Sequence, residues 1–498
     1  MMSPPFASLG FVARVCVLFV ALAAGVFVRA ENEDLLKTAK LAVTTDHAER
    51  ATSRTTATLE QHEGVVTVRY RIPEHVELRY AYAALDIRPA QPVGMGATTL
   101  EFDARIEAGS AQPFSLAVRT GSGRSYRRDY RGYGELGPEW QTVRIPLSDL
   151  TVPAHDHSGI AFLQFTVACH SMRDDIDLQE GAIHLRNLRL TTNPAEGAVR
   201  LPDYKTLLAD RPRFTRPRSH AAWFYTPNPR FLEEVRAFNA KSRVKIDQFY
   251  VAVAELSFRH GKPHVSPFNA DVRWYIENAP AGSAVHAMIA SGQGRQLAQL
   301  DVAAQVALAR ELAERAHAIE GLAGVHFDIE PYVIDALPFY VAFKEAYDGV
   351  VSAALDRWDE HVMWVVDQPV VMAYGKARDP RRYVSGAFKM IQNFAEDSAR
   401  VGRSYLPGVA MAQTNLEYEF EVNAATGARD YTGAKMEDYT RGILEKLVTL
   451  DDDPFFGGVA LWAFMPEETR IFRLFPKYPR HIKPECFEAL QAFSEKLK

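Results

Sequence analysis

Short strands dominate the hydrophobic pattern of the first half of the chain. Between about residues 46 and 192, six apolar or alternating segments are separated by Gly, Pro, Asp and Ser. The segments are VVTVRYRI, TTLEFDARIE, FSLAVRT, WQTVRIPL, IAFLQFTVA and AIHLRNLRLTT. A period of two without a helical period is typical of strands that bury one face. The pattern predicts an antiparallel β-sandwich, jelly-roll-like, over 46–192.

After residue 218, apolar runs alternate with helical periods such as VAAQVALARELAERAHAI, YVAFKEAYDGVVSAAL and MEDYTRGILEKLV. The predicted strands are HAAWFYT (220–226), IDQFYVAVA (246–254), AVHAMIA (284–290), GVHFDIE (324–330), HVMWVV (361–366), PVVMAY (369–374), LPGVAMAQT (406–414) and GGVALWAF (457–464). Eight strands alternating with helices suit a (β/α)8 TIM barrel over 218–498. The predicted fold class is therefore multidomain, a β-sandwich followed by an α/β barrel.

Two further segments complete the predicted organisation. Residues 15–28 form an uncharged apolar run after Arg14, and Val28-Arg29-Ala30 places small residues where a signal peptidase cleaves. This predicts a signal peptide over 1–30, and hence a secreted or periplasmic protein; an uncleaved membrane anchor is the alternative. Residues 193–217 hold four prolines and clustered charges. They predict a linker.

Composition excludes several function classes. The 498-residue chain has a net charge of -5 and no basic stripe, so we expect no nucleic-acid partner. Of three cysteines, Cys16 lies in the predicted signal peptide, and Cys169 and Cys486 are expected to be free thiols. No zinc-ligand spacing or phosphate-binding glycine loop is present, so no metal or cofactor is expected.

Polar residues concentrate at the end of the fourth predicted barrel strand. In Gly324-Val-His-Phe-Asp-Ile-Glu-Pro-Tyr332, alternation puts His326, Asp328 and Glu330 on one face and apolar residues on the other. The apolar face fits the layer under the helices, so the polar face must point into the barrel. Buried carboxylates are costly unless they are hydrogen-bonded or functional. A polar network that only fills the top of the barrel is the structural alternative.

The Phe-Asp-Ile-Glu segment resembles the fourth strand of family 18 glycoside hydrolases, the chitinase and endo-N-acetylglucosaminidase group. The last Asp and the Glu of that family's D-x-x-D-x-D-x-E motif match Asp328 and Glu330, whereas Ala323 and His326 occupy its two earlier acid positions. Val371-Met-Ala-Tyr374 resembles the family's Met-x-Tyr-Asp strand end, with Gly375 in place of the Asp. Ala460-Leu-Trp-Ala463 resembles its last strand.

The resemblance implies roles for the matched residues. Glu330 would protonate the leaving oxygen while the substrate's own 2-acetamido oxygen attacks the anomeric carbon. Asp328 would orient the acetamide and stabilise the charge that forms. Tyr374 would donate a hydrogen bond to the acetamide oxygen, and Trp462 would stack on the sugar ring. The implied partner is an oligosaccharide or polysaccharide.

Other strand-end residues are candidates for substrate contact or simple packing. They are His326, Tyr332, Trp223, Tyr225, Met372, Gln413 and Glu417. Glu255, Asp367 and Glu417 also follow predicted strands. Any of these three acids can pair with Glu330 in a conventional glycosidase that uses two protein carboxylates on sugars without an acetamide.

The sandwich segment Trp140–Leu150, with AIHLRNLRL after it, resembles jelly-roll modules related to galactose-binding and carbohydrate-binding domains. Arg186 stands where that group often carries Asp. Three functions stay open: a glycosidase acting on N-acetylhexosamine glycans, a two-carboxylate glycosidase, and a non-catalytic glycan-binding protein. The presence of Glu330 favours an enzyme, because family 18 barrels that lack this acid are lectins.

Overall fold

The computed structural model describes most of the chain in segments. They are 33–46, 53–74, 81–94, 97–113, 115–123, 125–129, 135–150, 158–170, 178–192, 213–215, 217–259, 262–356, 359–373, 380–411, 420–422, 429–431, 436–464 and 484–497. The predicted signal peptide and most of the predicted linker lie outside these residues. The chain divides into two compact units, 1–200 and 201–498. Within the described ranges, no helix has the length and apolar character needed to cross a membrane.

The first unit contains two antiparallel sheets of five strands each, ordered β1-β4-β9-β6-β7 and β2-β3-β10-β5-β8. The strands are β1 Lys40–Asp46, β2 Thr56–His62, β3 Val65–Ile72, β4 Ala81–Arg88, β5 Thr99–Ile106, β6 Ser115–Thr120, β7 Ser125–Asp129, β8 Gln141–Pro146, β9 Ile160–His170 and β10 Gln179–Thr191. A short helix, α1 (Leu35–Thr38), precedes them. The sandwich therefore begins before residue 46, the predicted start.

The sandwich core lies between the two sheets. Phe102 on β5 meets Phe165 on β9 edge to face, with ring centroids 4.9 Å apart, and both rings are fully buried. Burying an aromatic side chain of this size contributes roughly 1.5–3 kcal/mol to folding. The six predicted strands all occur, and β1, β2, β4 and β7 complete the sheets.

The second unit is a closed parallel barrel, as predicted. Its strands are β11 His220–Phe224, β12 Ile246–Arg259, β14 Ala284–Ser291, β15 Gly324–Ile329, β16 Val350–Leu355, β17 Gln368–Met372, β18 Leu406–Ala410 and β21 Ala460–Phe464. The barrel closes because β11 pairs in parallel with both β12 and β21. Three short strands lie outside it: β13 (Lys262–Val265), which pairs with the end of β12, and the pair β19 (Phe420–Val422) and β20 (Arg429–Tyr431).

Helices lie between the barrel strands. They are α2 Pro229–Lys241, α3 Asp271–Asn278, α4 Gly294–Ala298, α5 Val302–His317, α6 Leu337–Ala346, α7 Glu360–Val365, α8 Pro380–Val401, α9 Met436–Leu447 and α10 Pro484–Lys496, with short 3-10 turns at Leu147–Leu150 (in the sandwich), Ile334–Ala336 and Val448–Leu450. Apolar residues on the outer faces of the strands pack against them. Phe327 on β15, for example, meets Phe339 and Phe343 on α6 at 5.2 and 4.7 Å between ring centroids.

The fifth barrel strand differs from the prediction. It is β16 (Val350–Leu355), which the sequence pattern assigned to a helix, whereas the predicted strand HVMWVV lies in helix α7. Asp359 caps α7, because its side chain accepts the His361 N–H at 2.7 Å. The helix before β16 ends at Ala346, and Tyr347-Asp348-Gly349 turns the chain into the strand. The predicted fifth and sixth strands, 361–366 and 369–374, are too close together for a helix between them. With the fifth strand at Val350–Leu355, helix α7 lies between the fifth and sixth strands.

Candidate active site

Strand β15 presents its polar and apolar residues to opposite sides of the barrel wall, as the alternation predicted. Val325, Phe327 and Ile329 belong to the core shared with the helices. His326 faces the barrel interior, where its ring stacks on Tyr250 at 3.8 Å between centroids. Alternation carries Asp328 and Glu330 upward on this inner face, to the C-terminal end of the strand. This is the end at which TIM barrels carry their active sites.

The main chain of Glu330 is held by the last residue of β14 and the first residue of α4. Its N–H donates to Ser291 O at 2.7 Å, and its carbonyl accepts the Gly294 N–H at 3.0 Å. A Cβ at residue 294 would lie 2.2 Å from Pro331 O, so this close approach requires glycine. The backbone that carries the acid is therefore fixed by contacts independent of its carboxyl group.

The carboxyl groups of Asp328 and Glu330 perturb one another. Solvent reaches the Glu330 side chain, whereas Asp328 is half-buried. Removal from bulk water raises the pKa of both carboxyls, and the negative charges of Asp328 and Asp356 raise the pKa of Glu330 further. Two neighbouring carboxylates resist ionising together, so the pair keeps a proton to a higher pH than an isolated carboxylic acid does.

One carboxylate oxygen of the pair has no hydrogen-bond partner in the part of the chain that the structure describes. Asp328 Oδ1 is buried, and no donor among the described residues lies within hydrogen-bond distance of it. An unsatisfied buried acceptor costs free energy, so this atom is a ready acceptor for a ligand N–H or O–H.

A tyrosine and a tryptophan border the acids. Trp462 Nε1 donates to Tyr225 Oη at 3.2 Å. Burial, together with the charges of Asp328 and Glu330, raises the pKa of the Tyr225 phenol, so it stays protonated at neutral pH. Tyr225 thus offers a hydroxyl proton beside the carboxyl pair. Both side chains, with Met372, pack on the interior apolar cluster of the barrel.

A fully buried layer supports the acids from below. Trp223 Nε1 donates to His326 Nε2 at 3.2 Å, and His326 Nδ1 lies 2.8 Å from Ser352 Oγ. With Nε2 as the acceptor, Nδ1 carries the ring proton and donates to Ser352. Burial holds the pKa of His326 well below its usual value, so the ring is neutral. Trp223 and His326, predicted as substrate contacts, are occupied by this network, and we assign them a supporting role.

Asp356, which the sequence analysis did not identify, belongs to the same rim. Parallel pairing sets Gly324 beside Val350 and Phe327 beside Ala353, and Glu330 and Asp356 each follow three residues after the last of these pairs. Asp356 Oδ1 accepts the Tyr332 N–H at 3.2 Å. The misassigned fifth strand concealed this residue, because its carboxylate directly follows the apolar run of β16.

The remaining predicted residues have different locations. Tyr332 is 2% exposed and packs near Tyr340 in the outer core, so it does not line the cleft as a substrate contact. Glu255 is exposed on β12, paired with Ala290, which in turn pairs with Asp328. Tyr374, Gln413 and Glu417 lie outside the described residues.

Asp367 is at the wrong end of the barrel for catalysis. It precedes β17 rather than following a strand, and its Oδ2 accepts the Val351 N–H and Lys344 Nζ, each at 2.8 Å. Its selection as a strand-end acid followed from placing strand five over HVMWVV. Asp367 is a structural partner of Lys344.

Within the described segments, no group of three or more His, Cys, Asp and Glu side chains is placed to hold a metal ion. Cys486 is a buried free thiol, as predicted. The described side chains at the rim include carboxyl groups, a phenol and an indole.

Comparisons with known proteins give weak structural likeness. No protein-family model and no curated protein matches the sequence. The spore cortex-lytic enzyme SleL of Bacillus cereus aligns over 57% of this chain and 75% of its own, with 12% identity and a TM-score of 0.35. A family 5 mannosidase from Rhizomucor miehei aligns over 57% and 94%, with 10% identity and a TM-score of 0.37. A family 30 carbohydrate-binding module from Clostridium thermocellum aligns over 33% and 99%, with 16% identity and a TM-score of 0.24.

Proposed function

We propose that this chain is a secreted glycoside hydrolase that cleaves a glycan containing N-acetylhexosamine. The observation that carries the proposal is the pair Asp328 and Glu330 on the inner face of β15, at the C-terminal end of the barrel. Glu330 reaches solvent and its pKa is raised, and Asp328 offers a buried oxygen without a partner in the described protein. A proton donor beside a fixed acceptor is what substrate-assisted cleavage requires.

In the proposed first step, the carbonyl oxygen of the substrate's 2-acetamido group attacks the anomeric carbon. The glycosidic bond breaks and its oxygen takes the proton of Glu330. Asp328 Oδ1 accepts the acetamide N–H, orients the group and stabilises the positive charge of the oxazolinium intermediate. Water then attacks the anomeric carbon, and the Glu330 carboxylate takes the water proton, which restores the enzyme.

Tyr225 and Trp462 complete the proposed site. The protonated phenol of Tyr225 donates a hydrogen bond to substrate oxygen, and the hydrogen bond from Trp462 fixes the position of that phenol. The indole of Trp462 provides an aromatic surface for a sugar ring. The role that family 18 resemblance implies for Tyr374 remains part of the proposal.

One observation favours a second candidate, a glycosidase with two catalytic carboxylates. Asp356 and Glu255 add acids to the rim that carries Glu330. Retaining enzymes use two carboxyl groups roughly 5 Å apart. Asp356 is the candidate partner here, because it follows the strand next to β15 and its charge acts on Glu330. This candidate requires no acetamide on the substrate.

A hydrolysis screen tests the proposal and separates the two candidates. Polysaccharides that differ only in N-acetylation, such as chitin oligomers and their deacetylated forms, are incubated with the mature protein. We expect release of reducing ends only from N-acetylated substrates, with inhibition by a thiazoline analogue of the intermediate. Cleavage of the deacetylated forms without thiazoline inhibition supports the second candidate, and no hydrolysis of any glycan refutes both.

The secreted location rests on the apolar run of residues 15–28 and the small residues before Glu31. N-terminal sequencing of protein exported by its native host provides the test. We expect a mature chain beginning near Glu31, and an intact Met1 would support the membrane-anchor alternative.

A further inference from the structure

The turn that follows the proposed acid is held at its far end by a side chain from the neighbouring strand. Glu330 is fixed through its own N–H and carbonyl, to Ser291 and Gly294. Two residues later, the Tyr332 N–H donates to Asp356 Oδ1 at 3.2 Å, and the Tyr332 ring is buried in the outer core. Asp356 therefore joins the Glu330–Tyr332 turn to the end of strand β16.

The Asp356 carboxylate also lies close enough to Glu330 for its charge to act on that acid. Successive pairs from Gly324 with Val350 to Phe327 with Ala353 keep a constant offset, and Glu330 and Asp356 each follow three residues after the last of these pairs. Ala354 faces the barrel interior, so alternation puts Asp356 on the same inner face. Asp356 is exposed, at the rim.

Several ionisable groups face the Glu330 carboxyl from the surrounding elements. Asp328 lies on the same strand, Tyr225 follows β11, and Asp356 follows β16; Glu255 lies on the same rim, on β12. Burial and the negative charges of Asp328 and Asp356 raise the pKa of Tyr340 on α6, so its phenol stays protonated. The two charges that act on Glu330, those of Asp328 and Asp356, both raise its pKa.

We propose that Asp356 is a positioning residue for Glu330. Asp356 anchors the turn that follows Glu330, and its negative charge keeps Glu330 in the proton-donating form. This inference rests on the proposed function of Glu330 as the general acid. One oxygen of Asp356 is committed to the main chain of Tyr332, a geometry that suits a fixed charge. The effect on Glu330 has the sign expected of a like charge, which raises the pKa of a neighbouring carboxyl.

Asp356→Asn tests the inference, because it keeps an oxygen acceptor for the Tyr332 N–H and removes the charge. Glu330 is active when protonated, so turnover falls as pH rises through its pKa. With one negative neighbour removed, that pKa falls, and we expect the alkaline limb of the kcat profile to move down by about one pH unit. Turnover at pH values below the limb, and KM, should change little. Asp356→Ser offers a second neutral replacement and should give the same shift.

The matched control is Asp348→Asn, which removes an exposed carboxylate at the opposite end of the same strand and should leave the limb in place. An unmoved limb in both Asp356 variants, or an equal shift in the control, overturns the inference. So does loss of turnover at every pH with rescue by azide, since that outcome makes Asp356 the nucleophile.

Infrared titration separates failure of this inference from failure of the proposed function. The protonated carboxyl band that is absent in Glu330→Gln reports the Glu330 proton without any substrate. Asp356→Asn should make this band disappear at a lower pH even if no tested glycan is cleaved. A band that titrates identically in the two proteins overturns the positioning role, whatever the enzyme assay gives.

Discussion

Glu330 and Asp328 are two residues apart, yet their surroundings differ in a way that suits the different roles proposed for them. An isolated glutamic acid, with a pKa near 4.3, is almost fully ionised at pH 7 and is a poor proton donor there. Desolvation and two neighbouring carboxylates shift Glu330 toward the protonated form, whereas the buried Oδ1 of Asp328 is arranged to accept. A division of this kind between two acids is how a single fold supports general acid catalysis near neutral pH.

Tyr225 provides a prediction at this scale. Tyr225→Phe removes the hydroxyl that accepts from Trp462 and lies beside the acids, and leaves the ring packed on the interior cluster. Loss of one donor to developing charge typically costs about 10²-fold in kcat, and we expect a fall of that size with little change in KM. Steady-state kinetics measures it.

The control for Tyr225 is Tyr347→Phe, a buried tyrosine at the entrance to β16. It should keep full turnover. Unchanged kcat in Tyr225→Phe would remove Tyr225 from the proposed chemistry.

At the scale of the element, the sequence was informative where a strand has two distinct faces. Alternation in β15 was sufficient to predict which residues point inward, because apolar and polar side chains alternate strictly from Val325 to Glu330. Strand β16 has no such contrast. Val350-Val-Ser-Ala-Ala-Leu355 is buried on both faces, so its composition equally fits the end of a buried helix.

The exchange of helix and strand in this region had a local cause that the sequence does contain. Asp348-Gly349 is a turn signal that ends helix α6, and Asp359 is an N-cap residue for α7. Neither signal outweighed the apolar run HVMWVV, whose length suits a strand or a short helix. Because the fifth strand was predicted over 361–366, Asp356 was missed and Asp367 was selected as a strand-end acid. One error about an element thus caused errors about two residues.

Asp367→Asn tests the corrected location of strand five. This change removes the charge that meets Lys344 and the Val351 N–H. Removing one partner of a largely buried ion pair destabilises a protein by on the order of 3 kcal/mol, and we expect a loss of unfolding free energy approaching that value. Turnover of the folded protein should not change, because Asp367 lies at the end of the barrel away from the acids.

Chemical denaturation and kinetics on the same preparation provide both measurements for Asp367. Asp348→Asn, whose carboxylate is exposed, should have little effect on either. A stable Asp367→Asn variant with lost turnover would restore Asp367 as a catalytic candidate and contradict the strand order.

In the whole molecule, the hydrophobic pattern changes from period-two segments to alternating strands and helices between residues 192 and 220, and the structure divides into two units near residue 200. The division near residue 200 falls within the proline-bearing segment 193–217. The hydrophobic pattern did not predict the first strand of the sandwich, β1 (Lys40–Asp46), because this strand mixes Lys, Thr and Asp with few apolar residues. This strand is recognisable only through its antiparallel partner β4.

The sandwich has its own buried core, which predicts independent folding. A fragment covering residues 33–192 should unfold in a single cooperative transition with a β-type circular dichroism spectrum. Phe102→Ala, which leaves a cavity between the sheets opposite Phe165, should lower its unfolding free energy by about 3–5 kcal/mol. A fragment that aggregates or unfolds without cooperativity would contradict the domain boundary.

The proposed role of Glu330 is to donate the proton that cleaves a glycosidic bond. The kcat of Glu330→Gln on the substrate found in the hydrolysis screen tests this role. Glutamine keeps the shape of the side chain and removes the proton. General acid catalysis contributes about 10²- to 10⁴-fold, so kcat should fall by at least about 10²-fold while KM stays nearly constant. Glu320→Gln, an exposed glutamate before β15, should retain full activity. Near-full turnover in Glu330→Gln would contradict the assignment of the acid and the site built around it.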